Sequence, residues 1–324
     1  MSTYNFWKKL NKPFFCLAPM SDVTDTAFRR IITKYGKPDI FWTEFVSSDG
    51  LVFGDKKEII KNLKYSEKER PIVAQVFSSN PKNMQIAAKI IQDLKFDGLD
   101  INMGCPDRKV EKQGAGSALI KNPKLAQDII RAAKKGAQKL PISVKTRIGY
   151  NKNEIKTWIV ALLESDIDAL TIHFRTRKEM SRVPAKWHLA NDIVRMRDEI
   201  APNTLIIGNG DVFNLDDARK KAEQTNVDGI MIGRGIFGNP WFFSGHTPNI
   251  EDKLKVLIEH SKLFEKLCKH KSFAIMKKHF KAYVSGWEGA KQLRMKLMEC
   301  ENANEVEKII SNFPLSKGEK LVHK

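Results

Sequence analysis

The chain has 324 residues, 42% of them hydrophobic and 29% charged, which is typical of a soluble globular protein with one large domain and a smaller one. Its apolar runs are far shorter than the roughly 20 residues that a transmembrane helix needs, so we expect no membrane-spanning segment. Lys and Arg number 56 against 38 Asp and Glu, and this net charge of +18 favours a polyanionic partner, either nucleic acid or an acidic membrane surface, over a merely lysine-rich composition.

The N-terminal segment, residues 1–15, mixes polar and aromatic residues and has neither an apolar signal core nor a small-residue cleavage site. We therefore expect a cytoplasmic protein. The four cysteines have no CxxC spacing and no matching histidines, which argues against both a disulfide framework and a metal site.

Eight short apolar or β-branched runs predict strands in residues 1–246: Phe14–Ala18, Ile40–Phe45, Ile72–Val76, Gly98–Ile101, Ile142–Lys145, Ala169–His173, Leu205–Gly208 and Gly229–Ile232. Helical patterns lie between them: Thr24–Tyr35, Pro81–Leu94, Pro123–Lys139, Lys152–Glu164, Trp187–Ile200 and Asn214–Gln224. Eight strand–helix units predict an α/β fold, a closed (β/α)8 TIM barrel of parallel strands. The alternative, an open doubly wound sheet, would have fewer strands and a glycine-rich first turn.

The composition of residues 244–249 indicates a linker, and residues 250–324 predict a small all-helical domain of about four helices. Between Leu263 and Cys300, nine basic residues stand against three acidic ones at helical spacing, with Phe280, Tyr283 and Trp287 between them. We interpret this pattern as a surface that faces RNA.

The C-terminal ends of barrel strands carry the chemistry in such folds. Here nearly every predicted strand ends in polar residues, which packing alone does not explain. After strand 4, Gly104 and Pro106 force a turn that presents the lone thiol of Cys105. After strands 7 and 8, the glycine-containing turns Asn209–Asp211 and Gly233–Gly235 predict a backbone cradle for a phosphate group. The GxGxxG spacing from Gly233 has no following βαβ unit, so it does not indicate a Rossmann site.

Several of these runs, in this order, resemble the bacterial tRNA-dihydrouridine synthases, flavoenzymes that reduce particular uridines in tRNA. The matching runs span the whole predicted barrel: Leu17–Met20, Asp100–Pro106, Gly114–Leu119, Lys145–Gly149, His173–Arg177, Gly208–Asp211 and Met231–Gly235.

The resemblance implies FMN as the cofactor and NADPH (or NADH) as the electron donor. It assigns contacts with FMN to the residues that match the family's flavin site: Pro19, Met20, Ser21, Gln75, Lys145, His173, Asn209, Gly210, Asp211, Gly233 and Arg234. It assigns contacts with the substrate to Asn102, Arg147, Arg175 and Arg177, although ion pairing is an alternative for the arginines. Lys145 would stabilise the negative charge of reduced FMN.

The mechanism that the resemblance implies is hydride transfer from N5 of reduced FMN to C6 of uracil, with the Cys105 thiol protonating C5 as a general acid. The target uridine must leave the folded tRNA, so we expect the helical domain to bind the tRNA backbone with a steep salt dependence. We expect a monomer.

One stretch departs from the family pattern. Residues 180–187 lack the usual Tyr-x-Gly of a Tyr-x-Gly-x-Ala-x-Trp run, and Phe174 replaces a usual glycine. The pattern therefore does not predict which D-loop uridine is modified. Two alternatives stay open: an FMN barrel oxidoreductase that acts on a free pyrimidine, and a tRNA-binding or tRNA-folding protein whose catalysis is vestigial.

Overall fold

Eight parallel strands form one sheet within residues 5–314, the part of the chain that this computed structural model describes. The strands are β1 (Phe14–Leu17), β2 (Phe41–Ser47), β3 (Ile72–Phe77), β4 (Gly98–Met103), β5 (Ile142–Arg147), β6 (Ala169–His173), β7 (Leu205–Asn209) and β8 (Gly229–Ile232). All eight lie where the sequence predicts them, because continuous apolar runs of this length suit strands that are buried on both faces.

The sheet curls so that its first and last strands meet. The hydrogen-bonded order is β1-β8-β7-β6-β5-β4-β3-β2, and a parallel bridge between Cys16 and Ile40 joins the two ends. The Leu17 amide donates to the Ile40 carbonyl at 3.2 Å, and the Asp39 amide donates to the Phe15 carbonyl at 2.9 Å. The predicted (β/α)8 barrel is confirmed.

Helices alternate with the strands and continue past the barrel: α1 (Thr26–Tyr35), α2 (Ser48–Phe53), α3 (Lys56–Lys61), α4 (Pro81–Asp93), α5 (Arg108–Lys112), α6 (Pro123–Gly136), α7 (Val160–Leu163), α8 (Ala190–Ile200), α9 (Leu215–Thr225), α10 (Ile250–Leu267), α11 (Met276–Tyr283), α12 (Ala290–Leu297) and α13 (Ala303–Ser311). The predicted helix at 152–164 differs, since a π-helical turn, Ile155–Ile159, precedes the short α7. No helix of residues 5–314 is both long and apolar enough to cross a bilayer.

Aromatic side chains close the barrel at the N-terminal ends of its strands. Phe6 and Trp7 lie in a short 3-10 helix and are 2% and 4% exposed. The Trp7 ring lies 5.9 Å from that of Phe14 and 6.0 Å from that of Trp42. Because this end is sealed by apolar packing, a ligand reaches the barrel from the opposite rim, where the strands end.

The C-terminal helices α10–α13 pack against the barrel through α1. Lys271, which follows α10, reaches the rim and places its ammonium 2.7 Å from the buried carboxylate of Glu44 and 3.4 Å from Asp22. Glu44 also accepts a hydrogen bond from the Asp22 amide at 2.6 Å. The helical region is therefore tied to the loop that follows β1. Residues 1–4 and 315–324 of the two predicted domains lie outside the described residues.

The aromatic residues of the C-terminal helices do not face solvent. Phe280 and Tyr283 are 0% exposed and Trp287 is 8% exposed, so their helical spacing reflects core packing rather than an RNA-stacking surface. The lysines of this region fall into two groups. Lys271 is engaged by Glu44, whereas six others are exposed: Lys266, Lys269, Lys278, Lys281, Lys291 and Lys296.

Two buried histidines lie where α10 and α11 meet α1. The rings of His260 and His279 are 4.5 Å apart and contact Phe28 of α1. Both side chains are completely buried, and within residues 5–314 none of their ring nitrogens has a hydrogen-bond partner. Burial lowers the pKa of His279 to about 3 and that of His260 well below its ordinary value.

This histidine pair predicts a loss of stability in acid. Histidine in the unfolded chain takes up a proton below about pH 6.5, whereas the folded state keeps both rings neutral, so the free energy of unfolding falls as the pH drops. Relative to the wild type, a His279→Phe variant should gain about 2 kcal/mol of stability between pH 7 and pH 5. Urea unfolding of both proteins at each pH measures this difference. The exposed His188, replaced by Phe, is the control; a His279→Phe difference that does not change with pH would contradict the prediction.

Candidate active site

A cavity of about 600 Å³ opens at the C-terminal ends of the barrel strands. Of the predicted site residues, all but Ser21 and Arg177 line it: Pro19, Met20, Gln75, Asn102, Cys105, Lys145, Arg147, His173, Arg175, Asn209, Gly210, Asp211, Gly233 and Arg234. These side chains come from seven different strands or the loops that follow them, which explains why they are scattered along the sequence.

The turn after β4 holds Cys105 at the cavity wall. The amides of Cys105 and Gly104 donate to Asn102 Oδ1 at 2.9 and 3.2 Å, and Ser117 Oγ donates to the Cys105 carbonyl at 2.8 Å. A Cβ at Gly104 would lie 3.1 Å from the backbone of Thr146, a tight contact that favours glycine there. The backbone on both sides of the thiol is therefore anchored.

The Cys105 thiol stays protonated at neutral pH. Burial raises its pKa above the ordinary value, and this effect outweighs the opposing charges of Arg147 and Lys145. Among the four cysteines, Cys105 alone is partly exposed, while Cys16, Cys268 and Cys300 are buried. A protonated thiol at a cavity wall is suited to donate a proton rather than to attack as a thiolate.

Lys145 is a half-buried cation on β5. Its ammonium donates to Asn209 Oδ1 at 3.2 Å, and burial, helped by the charge of Arg147, lowers its pKa to about 8. Asp100 opposes that shift. The lysine is thus still charged at neutral pH, and an anion that entered the cavity would raise its pKa again.

His173 at the end of β6 is neutral. Burial, followed by the charges of Arg147 and Lys145, lowers its pKa well below the ordinary value. Its Nε2 lies 3.1 Å from the Arg175 guanidinium, which can only donate, so this nitrogen is the acceptor.

Arg147 is 8% exposed and donates only to carbonyls: Gly104 at 2.8 Å, Thr176 at 3.2 Å and Met180 at 3.3 Å. Within residues 5–314 no carboxylate lies within ion-pair distance of it. Burial lowers the pKa of its guanidinium to about 10. A buried charge without a counter-ion attracts an anionic ligand.

The loops after β7 and β8 meet at the rim. The Asp211 carboxylate pairs with Arg175 and, at 3.0 Å, with Arg234. Gly210 has φ +124°, a backbone conformation that favours glycine, and a Cβ there would lie 2.9 Å from Ala185. A Cβ at Gly233 would meet its nearest atoms, in Ala18 and Met20, only at 3.9 Å. Gly233 thus lines the cavity beside the exposed Arg234, an arrangement that suits a phosphate.

Two predicted residues lie elsewhere. Arg177 is outside the cavity lining, where its guanidinium pairs with Glu111 and lies 5.3 Å from the Tyr150 ring. Ser21 is exposed in the loop after β1 and does not line the cavity. Its contact with the cofactor, like that of Arg177 with the substrate, stays a prediction.

Several apolar residues of the lining are not among those predicted from the sequence. Phe45, Met180 and Phe213 line the cavity, and Phe213 is 72% exposed. Met180 lies in the stretch that departs from the family pattern. The position of Phe213, two residues after Asp211, indicates that it lies near the rim. Sequence alone does not distinguish an exposed phenylalanine from one in the core.

The lining therefore suits an anionic, partly apolar ligand. Four cations, Lys145, Arg147, Arg175 and Arg234, stand against the single carboxylate of Asp211. Within residues 5–314 no group of His, Cys, Asp and Glu side chains could hold a metal ion. Glycines, cations and apolar walls together suit a ligand that carries both an anionic group and an apolar ring system.

The family model and the curated relatives that match this chain point to the same family. Residues 16–317 match the family model described as Dihydrouridine synthase (Dus). The chain is 43% identical over 317 residues to the probable tRNA-dihydrouridine synthase 2 of Bacillus subtilis (strain 168), covering 96% of this chain and 97% of that one. It is 42% identical over 315 residues to the probable tRNA-dihydrouridine synthase of Staphylococcus epidermidis (strain RP62A), covering 95% and 96%.

Solved structures share the fold at low identity. The histamine dehydrogenase from Rhizobium sp. 4-9 is 12% identical with a TM-score of 0.53, over 77% of this chain and 48% of that chain. A 2-naphthoyl-CoA reductase complex is 11% identical with a TM-score of 0.55, over 71% and 49%. The chain spans about half the length of these two structures, and the likeness shows the fold alone.

Proposed function

The chain belongs to the dihydrouridine synthase family of flavin-dependent oxidoreductases, and from that premise we propose that it reduces particular uridines of tRNA to dihydrouridine. The observation that carries this proposal is the protonated thiol of Cys105 at the wall of a cationic, glycine-lined cavity. A thiol in that place supplies the proton that reduction of a carbon–carbon double bond requires.

The flavin is FMN in this proposal. Gly210, Gly233 and Arg234 would hold its phosphate, Lys145 and Gln75 the polar edge of its ring system, and Pro19 and Met20 one face of the ring. The proposed FMN site also includes His173, Asn209 and Asp211. The neutral imidazole of His173 and the Asn209 amide add no negative charge beside the phosphate. Reduced FMN supplies a hydride when bound.

The protein's own residues perform the remaining steps. Asn102 and the guanidinium of Arg147 both hydrogen-bond to the Cys105 turn, where they would orient the uracil. The carbonyl at C4 of uracil polarises the C5=C6 bond, so that C6 accepts the hydride while Cys105 Sγ gives its proton to C5. Arg175 helps to hold the backbone phosphates of the substrate, and Arg177 is a rim contact that would have to leave Glu111.

The substrate is a folded tRNA in this proposal. Its target uridine must be extruded into the cavity, at a cost of a few kcal/mol that contacts elsewhere on the tRNA offset. The exposed lysines of α10–α13 and the net charge of +18 supply such contacts. A helical tRNA-binding unit at residues 250–324 beside a catalytic barrel at residues 1–246 follows from this division of roles.

NADPH, or NADH, is the proposed source of electrons. A nicotinamide and a uracil would use the cavity in turn. We further propose a cytoplasmic, metal-free monomer, in keeping with the sequence expectations.

The test is made on purified protein. We expect flavin absorption at roughly 370 and 450 nm, and dihydrouridine in tRNA that lacked it once NADPH is added. Activity should fall steeply between low and physiological salt because tRNA binding releases counterions. A yellow protein that reduces free uracil and ignores salt would favour the alternative of a free-pyrimidine reductase. A colourless protein that binds tRNA would favour the RNA-binding alternative.

A further inference from the structure

A chain of buried hydrogen bonds runs from the interior of the barrel to the Cys105 turn. Gln75 Nε2 donates to Asp100 Oδ2 at 2.6 Å, and Asn102 Nδ2 donates to Gln75 Oε1 at 2.9 Å. Asn102 Oδ1 in turn accepts a hydrogen bond from the Cys105 amide at 2.9 Å. Asp100 and Gln75 are 0% exposed and Asn102 is 6% exposed, so water does not compete for these bonds.

The groups at the two ends of this series of hydrogen bonds fix the direction in which every bond donates. The Cys105 backbone N–H can only donate, so the Asn102 amide must present its oxygen to it and its NH₂ group to Gln75. Gln75 must then accept with its oxygen and donate with its NH₂ group, which requires an acceptor beyond it. Asp100 is that acceptor, because a carboxylate has no donor.

Asp100 itself is well placed to stay an acceptor. Its second oxygen accepts from Ser143 Oγ at 2.6 Å, and Asp100 does not line the cavity. Burial raises its pKa to about 6, so the carboxyl is ionised at pH 7 and above. The carbonyl oxygens of both amides are engaged within the chain, and the N–H groups left over suit the carbonyl oxygens of a pyrimidine ring.

We propose that Asp100 is a positioning residue, which acts through Gln75 and Asn102 to hold the Cys105 turn and to present amide donors to the ligand. It touches neither the ligand nor the thiol. Its effect on catalysis rests on the proposed function, whereas its effect on Cys105 does not.

The experiment compares Asp100→Asn with Asp100→Leu. Asparagine can still offer an oxygen to Gln75 and its NH₂ group to Ser143, so the direction of the chain survives without the charge. Leucine removes the acceptor and leaves the Gln75 NH₂ group free to turn away. Ser143→Ala is the matched control, since it removes the other hydrogen bond of Asp100 and leaves Gln75 engaged.

The readout is the rate at which iodoacetamide alkylates Cys105 in the folded holoenzyme, followed by mass spectrometry. The other three cysteines are buried, so the native protein reports the Cys105 turn. We expect Asp100→Leu to be alkylated at least about fivefold faster than wild type. The loss of one buried hydrogen bond should increase the population of turn conformations that expose the thiol by about that factor. Asp100→Asn and Ser143→Ala should stay within about twofold of wild type.

Dihydrouridine formation is measured in parallel and should fall for Asp100→Leu in kcat rather than KM. Wild-type alkylation of Asp100→Leu would overturn the proposal. Equal defects in Asp100→Asn and Asp100→Leu would overturn it as well, since the charge near Lys145 would then be what matters. If the leucine variant does not fold, wild-type behaviour of Asp100→Asn still supports the hydrogen-bond role and a defect there refutes it. Inactive wild-type protein with the expected alkylation pattern would refute the proposed function alone.

Discussion

A Cys105→Ala variant should retain its flavin and still be reduced by NADPH, yet form dihydrouridine at least about 100-fold more slowly than wild type. The reason is that, in the proposed mechanism, the thiol donates the proton; it lies at the cavity wall in a turn anchored through Asn102 and Ser117. Because burial raises its pKa, the thiol carries its proton throughout the neutral range, and activity that depends on it should decline only when the pH rises through that raised pKa.

The measurement separates the two half-reactions. Stopped-flow bleaching of the flavin by NADPH reports the first, and dihydrouridine in tRNA reports the second. Cys300→Ala is the control, because Cys300 is a buried thiol between α12 and α13 and far along the chain from the turn. A Cys105→Ala variant that kept more than about a tenth of wild-type product formation would show that another group is the acid.

The fold could be predicted from the sequence because its signals are local. Most strands are largely apolar runs with polar residues at or just after their ends, and these ends lie at one rim by topology alone. The runs that resemble the family fall at those ends, so most candidate residues line one cavity. The C-terminal aromatics misled the interpretation because Phe280 and Tyr283 have the same spacing whether they face RNA or a core.

Contacts between distant segments were beyond sequence reasoning. Lys271 looks like one more basic residue of the helical region, but it pairs with Glu44 of β2. Arg177 looks like its neighbour Arg175, but it points to Glu111 rather than to the cavity. Asp100 belongs to a matching run, yet its link to Gln75 appears only when β3 and β4 are side by side. Each case depends on which partner the fold brings near, and spacing along the chain does not contain that information.

A Lys145→Met variant should bind FMN more weakly and lower kcat/KM for dihydrouridine formation by about 100-fold or more. Lys145 is half-buried on β5, and the neutral amide of Asn209 is its hydrogen-bond partner at 3.2 Å. Its charge is therefore available to the ligand. Methionine keeps the length of the side chain and removes the charge, so the expected loss is electrostatic. The midpoint potential of the bound flavin should also become more negative, because reduced flavin carries the negative charge that the lysine stabilises.

The pH dependence of flavin affinity gives a sharper test of the same charge. With a pKa of about 8 in the free protein, Lys145 loses its proton as the pH rises from 7 to 9. The wild-type Kd for FMN should therefore rise over that range by up to about tenfold. Lys145→Met should bind weakly at pH 7 and show little further change, since it has no proton to lose. Lys112→Met, an exposed lysine on α5, is the control and should follow the wild type. A Lys145→Met profile parallel to that of the wild type would mean that the lysine serves the structure of the barrel mouth and not the negative charge of the flavin.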